Sequence, residues 1–166
     1  MIFKGKAHRF GDDINTDYVI SGKYKSKILD YDELCKHIME DIDPGFYERL
    51  ASGDFIVAGK NFGCGSSRET APMLIKRAGV SAVIAKSFAR IFFRNAISIG
   101  LRVVECDTDP IEDGDMLEVD FTDGVVAEAS GKYRLESTPL PPALMKCLDE
   151  GGMSANFKKY GVFKLD

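Results

Sequence analysis

The sequence predicts one α/β domain with an additional layer of β-strands, spanning residues 1–166. Residues 54–104 alternate short apolar runs with helical patterns, which is typical of parallel βαβ units with right-handed crossovers. Residues 116–136 form short segments of alternating polarity separated by Asp-Gly and Ser-Gly, which predicts an antiparallel meander. The length suits one hydrophobic core, and neither an internal repeat nor a linker divides the chain.

The first third of the chain is predicted to contain short elements. They are, in order, a strand at 2–10, a turn-forming acidic loop at 11–17, a short strand at 18–20, a basic loop at 21–27, and helices at 31–39 and 44–50. Asp30 is the predicted N-cap of the first helix, and Pro44 suits the first position of the second. The basic segment is predicted as a loop because it lacks any periodicity.

The middle and the end of the chain carry clearer signals. The predicted elements are strands at 54–58, 80–85 and 101–104, helices at 68–78 and 88–99, the meander strands at 116–121, 125–129 and 133–136, and C-terminal helices at 139–148 and 153–160. Gly79 and Gly100 stand where helices end with a left-handed residue, and Ser87 is the predicted cap of the second helix. A glycine-rich turn fills residues 59–67.

Composition excludes several classes of function. The formal net charge of -4 argues against nucleic-acid binding, and two histidines are few for a histidine metal site or a Ser-His-Asp triad. The four cysteines form no CxxC pair, so this chain has no recognisable zinc or iron–sulfur motif. Scattered thiols indicate reduced cysteines and a cytoplasmic setting. The N-terminus lacks an apolar signal-peptide segment, and no apolar run reaches membrane-spanning length.

The glycine-rich turn carries the strongest chemical signal. Three glycines, two adjacent serines and Arg68 lie between an apolar strand and a helix. A helix beginning at the serines would direct free N–H groups and its positive dipole end at a ligand, which favours a carboxylate or phosphate. The string matches neither the Walker loop nor GxGxxG, and the planar fork of Arg68 suits a carboxylate. An anion-binding turn, a catalytic serine and a purely structural turn all remain open at this point.

Two other segments can meet this turn. Residues 86–95 also follow a strand and open a helix, and the carboxyl ends of parallel strands share one edge of a sheet. In the acidic loop, Asp17 either faces the glycine turn as a hydrogen-bond or proton-relay partner or belongs to a solvated turn. Cys64 is predicted to be a buried or lining residue, since no histidine lies nearby in sequence. Arg94 is predicted to point outward from a core helix.

Together these motifs resemble the small, swivelling domain of the aconitase superfamily. They are FGDDINTD at 10–17, AGKNFGCGSSRE at 58–69, AKSFARIFFRNAISIGL at 85–101 and DGD at 113–115. At this length the chain resembles the free-standing small subunit of 3-isopropylmalate dehydratase and its homoaconitase-like relatives. The resemblance covers nearly the whole chain, and three ordered motifs at matching separations make it specific.

The resemblance implies a three-layer β/β/α fold and a hydro-lyase that isomerises a 2-hydroxy acid through an enoate. It implies that Ser66 is the alkoxide base and that Asp17 lies in the active-site hydrogen-bond network. Gly65, Ser67 and Arg68 are implied to bind a substrate carboxylate. The resemblance places a [4Fe–4S] cluster on a separate large subunit, with no cofactor or metal in this chain. The implied reaction is the conversion of 2-isopropylmalate to 3-isopropylmalate in leucine biosynthesis.

Residues 24–27 leave open which γ-substituent the substrate carries. In the family, this region selects that substituent. Apolar residues there suit an isopropyl group and arginine suits an extra carboxylate, but Tyr24, Lys25 and Lys27 match neither pattern. A lysine here pairs with a third carboxylate, or points to solvent while Tyr24 and Ile28 form an apolar wall. The alternatives are therefore homoaconitate, citraconate or citramalate, and 2,3-dimethylmalate as substrates. A further alternative is a non-catalytic carboxylate-binding or assembly module.

Overall fold

The computed structural model describes residues 1–165, which contain seven strands, eight α-helices and a 3₁₀ turn at Cys35–His37. The strands are β1 (Ile2–Arg9), β2 (Phe55–Val57), β3 (Ala82–Ala85), β4 (Arg102–Glu105), β5 (Met116–Asp120), β6 (Val125–Glu128) and β7 (Arg134–Glu136). The helices are α1 (Thr16–Val19), α2 (Gly22–Lys25), α3 (Tyr31–Leu34), α4 (Phe46–Arg49), α5 (Thr70–Arg77), α6 (Arg90–Ile99), α7 (Pro142–Asp149) and α8 (Met153–Tyr160).

The strands form one sheet in the order β4-β3-β2-β1-β5-β6-β7. Strands β1 to β4 pair in parallel, and β5 to β7 continue from β1 as an antiparallel meander. The two halves meet in β1, whose residues 2–6 pair with β5 while residues 7–9 pair with β2. Beyond β4 and β7, Cys106 forms an antiparallel bridge with Ser137. The sheet therefore curls until its two outer strands meet.

Curling stacks the meander on one face of the parallel strands and leaves the other face to the helices. Successive side chains of β2 and β3 point alternately into two different hydrophobic cores, as expected for strands that are buried on both faces. The core between the two β layers contains Phe55, Val57, Ala82, Ile84, Leu117, Val119 and Val126. The core beneath the helices contains Ile56, Val83, Leu74, Ile75, Phe92 and Ala96. The three-layer β/β/α fold predicted from the sequence is confirmed.

Several local predictions are also confirmed. The parallel strands, the meander and both C-terminal helices lie within a few residues of their predicted bounds. The Asp30 side chain accepts the backbone N–H of Asp32 and caps α3. Gly100 ends α6 with φ of 81°, a left-handed conformation that glycine adopts without steric cost.

The predictions for residues 18–39 are partly wrong. Tyr18–Ile20 is not a strand, because the Asn15 side chain accepts the backbone N–H of Asp17 and starts α1. An apolar run this short is compatible with a strand or with a helix, and here the N-cap at Asn15 favours the helix. Residues 21–27 are not all loop, since they contain α2. The helix predicted at 31–39 ends early through the 3₁₀ turn, before Met39 adopts φ of 59°.

The starts of the two longer helices also differ from prediction. Helix α5 begins at Thr70 rather than at the serines, so Ser66, Ser67 and Arg68 lie in the preceding loop. Ser87 does not cap α6; its Oγ accepts the backbone N–H of Asn61. The first turn of α5 therefore begins after the serines, and Ser66 is held instead through its carbonyl, which accepts from Oγ1 of Thr16 in the neighbouring segment.

Candidate active site

Three loops meet at the carboxyl ends of β1, β2 and β3, and the glycine-rich turn after β2 lies between the other two. On one side the backbone N–H of Gly63 donates to the Ile14 carbonyl (2.8 Å). On the other side the Phe62 carbonyl accepts the N–H of Ala89 (2.9 Å), while the Phe62 N–H donates to the Ser87 carbonyl (3.0 Å). The convergence predicted from the parallel strand order is confirmed.

Two glycines let this turn pack so closely. Gly65 has φ of 93°, and a Cβ there would lie 2.5 Å from Oδ1 of Asn15. Gly63 has φ of 82°, and a Cβ there would overlap the ring of Phe92. Any other residue type at either position would have to displace a neighbouring loop or helix α6. The glycines therefore fix the path of the backbone that carries the serines.

The acidic loop supports the same turn. Oδ1 of Asp12 accepts the backbone N–H of Lys60 (2.7 Å), and Oδ1 of Asp13 accepts from the side-chain amide of Asn61 (3.0 Å). These carboxylates satisfy the polar groups of a loop that has no regular structure. Their role is to hold the turn in place.

Ser66, Ser67 and Arg68 line a cleft of about 200 Å³ between the glycine-rich turn and the start of α6. Both serines are exposed. The complete lining is Thr16, Gly63, Gly65, Ser66, Ser67, Arg68, Ala89, Arg90, Ile91, Phe92 and Asn95. The cleft is small, open to solvent and rich in groups that can bind an anion.

Arg68 is held beside this cleft by Asp17. Its Nη1 lies 2.9 Å from Oδ1 of Asp17, which is half-exposed. This contact is an ion pair. Nη1 itself is buried and makes no hydrogen bond among residues 1–165. An arginine held in position beside a cleft suits a carboxylate ligand, because its guanidinium offers further N–H donors in one plane.

Thr16 fixes the backbone of Ser66 from the opposite loop. Its Oγ1 donates to the Ser66 carbonyl (2.9 Å), and its own N–H donates to the Cys64 carbonyl (2.9 Å). Thr16 is buried. The Ser66 hydroxyl is thus presented from a backbone that is bonded on both sides.

Cys64 is unsuited to act as a nucleophile. Burial raises the pKa of its thiol, and the negative charge of Asp13 raises it further. A thiol with a raised pKa carries little thiolate at neutral pH. The raised pKa fits the prediction that Cys64 is not a nucleophile, although the residue is half-buried and does not line the cleft.

Tyr24, Lys25 and Lys27 do not line the cleft. The Tyr24 ring stacks on His37 with centroids 4.0 Å apart, and a hydrogen bond to Glu40 raises the pKa of the Tyr24 phenol. Both lysines are exposed on or after α2. Their contact with substrate stays a prediction.

Seven lining residues were not predicted as site residues: Thr16, Gly63, Ala89, Arg90, Ile91, Phe92 and Asn95. The signal for five of them was the cluster at 86–95, which follows a strand end. The sequence did not show which face of α6 turns to the cleft, because helix periodicity there reports the buried face.

The part of the chain that the structure describes contains no group of three or more His, Cys, Asp or Glu side chains able to hold a metal ion. All four cysteines are free. Within residues 1–165 no helix combines the length and the apolar character needed to cross a bilayer.

The model of the aconitase C-terminal domain family matches residues 22–108. Over 161 residues the chain is 53% identical to the 3-isopropylmalate dehydratase small subunit 2 of Archaeoglobus fulgidus, covering 97% of this chain and 98% of the relative. It is 50% identical to the 3-isopropylmalate dehydratase small subunit of Caldicellulosiruptor bescii, covering 92% and 93%.

The fold also matches a solved relative. The crystal structure of a 3-isopropylmalate dehydratase from Methanocaldococcus jannaschii superposes with a TM-score of 0.91 and is 45% identical, covering 97% of this chain and 96% of that one. With the family model and the curated relatives, this match shows that this chain belongs to the aconitase C-terminal domain family, among the small subunits of 3-isopropylmalate dehydratase.

Proposed function

We propose that this chain is the small subunit of a 3-isopropylmalate dehydratase, which interconverts 2-isopropylmalate and 3-isopropylmalate by removing and re-adding water. The names of its relatives suggest the reaction. The observation that carries the proposal is the cleft, where Ser66 and Ser67 are exposed beside the guanidinium of Arg68. A small hydroxy acid with two carboxylates supplies the acceptors that these donors lack.

Arg68 and Ser67 bind a substrate carboxylate in this proposal. The guanidinium presents its donors in a fixed plane that matches the two oxygens of a carboxylate. Asp17 holds the guanidinium by an ion pair at 2.9 Å but leaves Nη1 without a hydrogen bond. Asp17 is half-exposed, so its charge is partly screened and competes weakly with a bound substrate. The Gly65 backbone keeps this loop close enough for the contact.

Ser66 is the proposed base. An alkoxide at Ser66 takes the proton from the carbon next to a carboxylate, and hydroxide leaves the neighbouring carbon to give an enoate. Hydroxide then adds to the carbon that lost its proton. The Ser66 hydroxyl is exposed and exchanges its proton with solvent; it protonates the other carbon, which regenerates the alkoxide. A serine hydroxyl is a poor base unless positive charge stabilises its alkoxide. Arg68, which lines the same cleft, supplies that charge.

The departure of hydroxide calls for a Lewis acid. The name small subunit given to the relatives implies a larger partner subunit. We assign this chemistry to a [4Fe–4S] cluster that this partner would carry. This chain's contribution is the base and the carboxylate-binding residues. The reduced state of its four free cysteines fits a cytoplasmic location.

The test is reconstitution. The purified chain is mixed with the large subunit of a 3-isopropylmalate dehydratase, and 3-isopropylmalate formed from 2-isopropylmalate is measured. We expect turnover by the mixture and none by either chain alone. An inactive mixture, with a large subunit that remains active with its own small subunit, would overturn the proposal.

The same mixture decides the substrate. kcat/KM is measured in competition for 2-isopropylmalate, homoaconitate, citraconate and 2,3-dimethylmalate. We expect the highest value for 2-isopropylmalate. A higher value for homoaconitate would assign the chain to the homoaconitase branch, with Lys25 or Lys27 meeting the third carboxylate.

A further inference from the structure

Helix α6 forms the wall of the cleft that faces the serines. Ile91 and Asn95 lie one turn apart on this helix, so their side chains leave it on the same face. Both line the cleft. The glycine-rich turn with Ser66 and Arg68 forms the other wall, so a molecule in the cleft touches both.

The Asn95 side chain lacks a partner. It is half-buried, and its amide has no hydrogen bond within residues 1–165. Asparagine is a poor residue for a helix interior, so helix propensity does not explain its presence. Neither polar atom of the Asn95 amide is fully buried, so both its donors and its acceptor are open to water and to a ligand in the cleft.

The Ile91 side chain is equally unexplained by the fold. It is 50% exposed, although the same helix buries Phe92, Ala96 and Ile97 on its opposite face. Ile91 adds a branched apolar surface to a cleft whose other wall is made of serines and an arginine. The cleft thus has a polar side and an apolar corner.

We propose that α6 recognises the substrate through this pair: the Asn95 amide donates to the second carboxylate, and Ile91 packs against the alkyl branch. The proposal rests on the proposed function, because it uses a substrate with two carboxylates and one branched alkyl group. Arg68 holds one carboxylate from the turn, and Asn95 meets the other from the helix. A side chain on a helix is held more rigidly than one on a loop, which favours discrimination.

Asn95→Asp tests the polar half in the reconstituted enzyme. The change keeps the size of the side chain but replaces its two N–H donors with a negative charge that repels a carboxylate. We expect KM for 2-isopropylmalate to rise by about tenfold or more, as for loss of a hydrogen bond to a charged group. Asn95→Ala should raise KM by less than Asn95→Asp, and kcat should fall less than KM rises in both.

The matched control is Arg94→Ala, an exposed neighbour on α6 that does not line the cleft. It should leave KM and kcat within about twofold. Circular dichroism and the thermal midpoint show whether each variant is folded. A folded Asn95→Asp enzyme with unchanged KM would overturn the inference while leaving the proposed function intact, since wild-type turnover is the separate test of that function.

Ile91→Ala tests the apolar half. Removing most of the side chain should lower kcat/KM for 2-isopropylmalate by about tenfold, the size expected for lost methylene contacts in a substrate pocket. It should change kcat/KM for 2-methylmalate by less, because a methyl branch is too short to use the same contact. An equal loss for both substrates would overturn the assignment of Ile91 to the alkyl branch.

Discussion

The two ends of the parallel strands carry polar clusters of opposite kinds. At the amino end of β2, the side chain of Asp54 is hydrogen-bonded to that of His8 from β1 at 2.8 Å, and the two residues are 5% and 6% exposed. Asp54 also accepts the backbone N–H groups of Lys6 and Ala51. At the carboxyl ends, Arg68 has a buried nitrogen without a hydrogen bond and Ser66 is exposed.

The difference separates polar groups that hold the fold from polar groups that, in the proposed function, bind a ligand. A buried charge stabilises a structure only when its hydrogen bonds are complete, as those of Asp54 are. In the proposed function, a substrate carboxylate completes the cluster at the carboxyl ends. Substitutions at the amino ends should therefore change stability, and substitutions in the cleft should change catalysis.

The largest expected effect is that of Ser66→Ala on catalysis. Without the proposed base, kcat of the reconstituted enzyme should fall by about 10²–10⁴-fold, the range for removal of a general base. The free energy of unfolding should stay within about 0.5 kcal/mol, since the hydroxyl is exposed and Thr16 bonds the backbone rather than the side chain. Initial rates and urea unfolding measure the two quantities. A variant that keeps wild-type kcat would remove Ser66 from its role.

Asp54→Ala should have the opposite effect: it should lower stability and leave kcat unchanged. It removes the partner of the buried His8 ring and of two part-buried backbone N–H groups, at a cost of about 3 kcal/mol in the free energy of unfolding. Molecules that remain folded should retain wild-type kcat, because Asp54 lies at the far end of the strands. Urea unfolding and active-site-normalised rates check both statements, and a fall in kcat without a loss of stability would contradict the comparison.

The free energy of unfolding that Asp54 contributes should depend on pH in one direction. Burial opposes ionisation of Asp54, but the hydrogen bonds from His8, Ala51 and Lys6 outweigh it and hold the pKa of Asp54 below its ordinary value. Its stabilising contribution is therefore complete above the unfolded pKa of about 3.9 and is lost as pH falls through the lower folded pKa. The stability gap between wild type and Asp54→Ala should narrow below about pH 4. A gap that widens on acidification would contradict this.

Arg68→Lys tests whether the guanidinium in the cleft serves substrate binding rather than stability. Lysine keeps the charge but loses the planar pair of donors, so KM for 2-isopropylmalate should rise by about tenfold to a hundredfold. Unfolding should be little affected, because the ion pair with the half-exposed Asp17 is weak. Steady-state kinetics and thermal unfolding test this. Equal losses of stability and affinity would mean that Arg68 supports the fold.

The smallest effect is expected at Lys25 and Lys27. Each is exposed and outside the cleft, and an isopropyl branch has no charge for a lysine to meet. Lys25→Ala and Lys27→Ala should change kcat/KM for 2-isopropylmalate by less than about threefold, as for substitutions at sites without specific contacts. A larger loss with homoaconitate than with 2-isopropylmalate would indicate contact with a third carboxylate.

Much of the architecture was predictable because it rests on long-range patterns. Apolar runs at 54–58 and 80–85 predict strands buried on both faces, and alternation after residue 116 predicts the meander. The elements at 16–25 were predicted wrongly, since side-chain capping by Asn15 and tertiary packing decide such short segments. The curl that brings Cys106 to Ser137 has no local signal.

The candidate site also contains residues that the sequence predicts and residues that it does not. Ser66, Ser67 and Arg68 were predicted because the glycine-rich string is distinctive, and the edge shared by parallel strands predicts its meeting with residues 86–95. Thr16, Ile91 and Asn95 were missed because their position in the cleft depends on how α1 and α6 are rotated. That rotation is set by packing of Val19 and Phe92 in the core.

The most direct measurement follows deuterium from heavy water into 2-isopropylmalate and 3-isopropylmalate recovered from the reconstituted enzyme. Wild type should place deuterium on the carbon that carries the abstracted proton. A Ser66→Ala complex that binds the large subunit and the substrate with wild-type affinity should place none there. Incorporation by Ser66→Ala at the wild-type rate would show that another group moves the proton and would contradict the account.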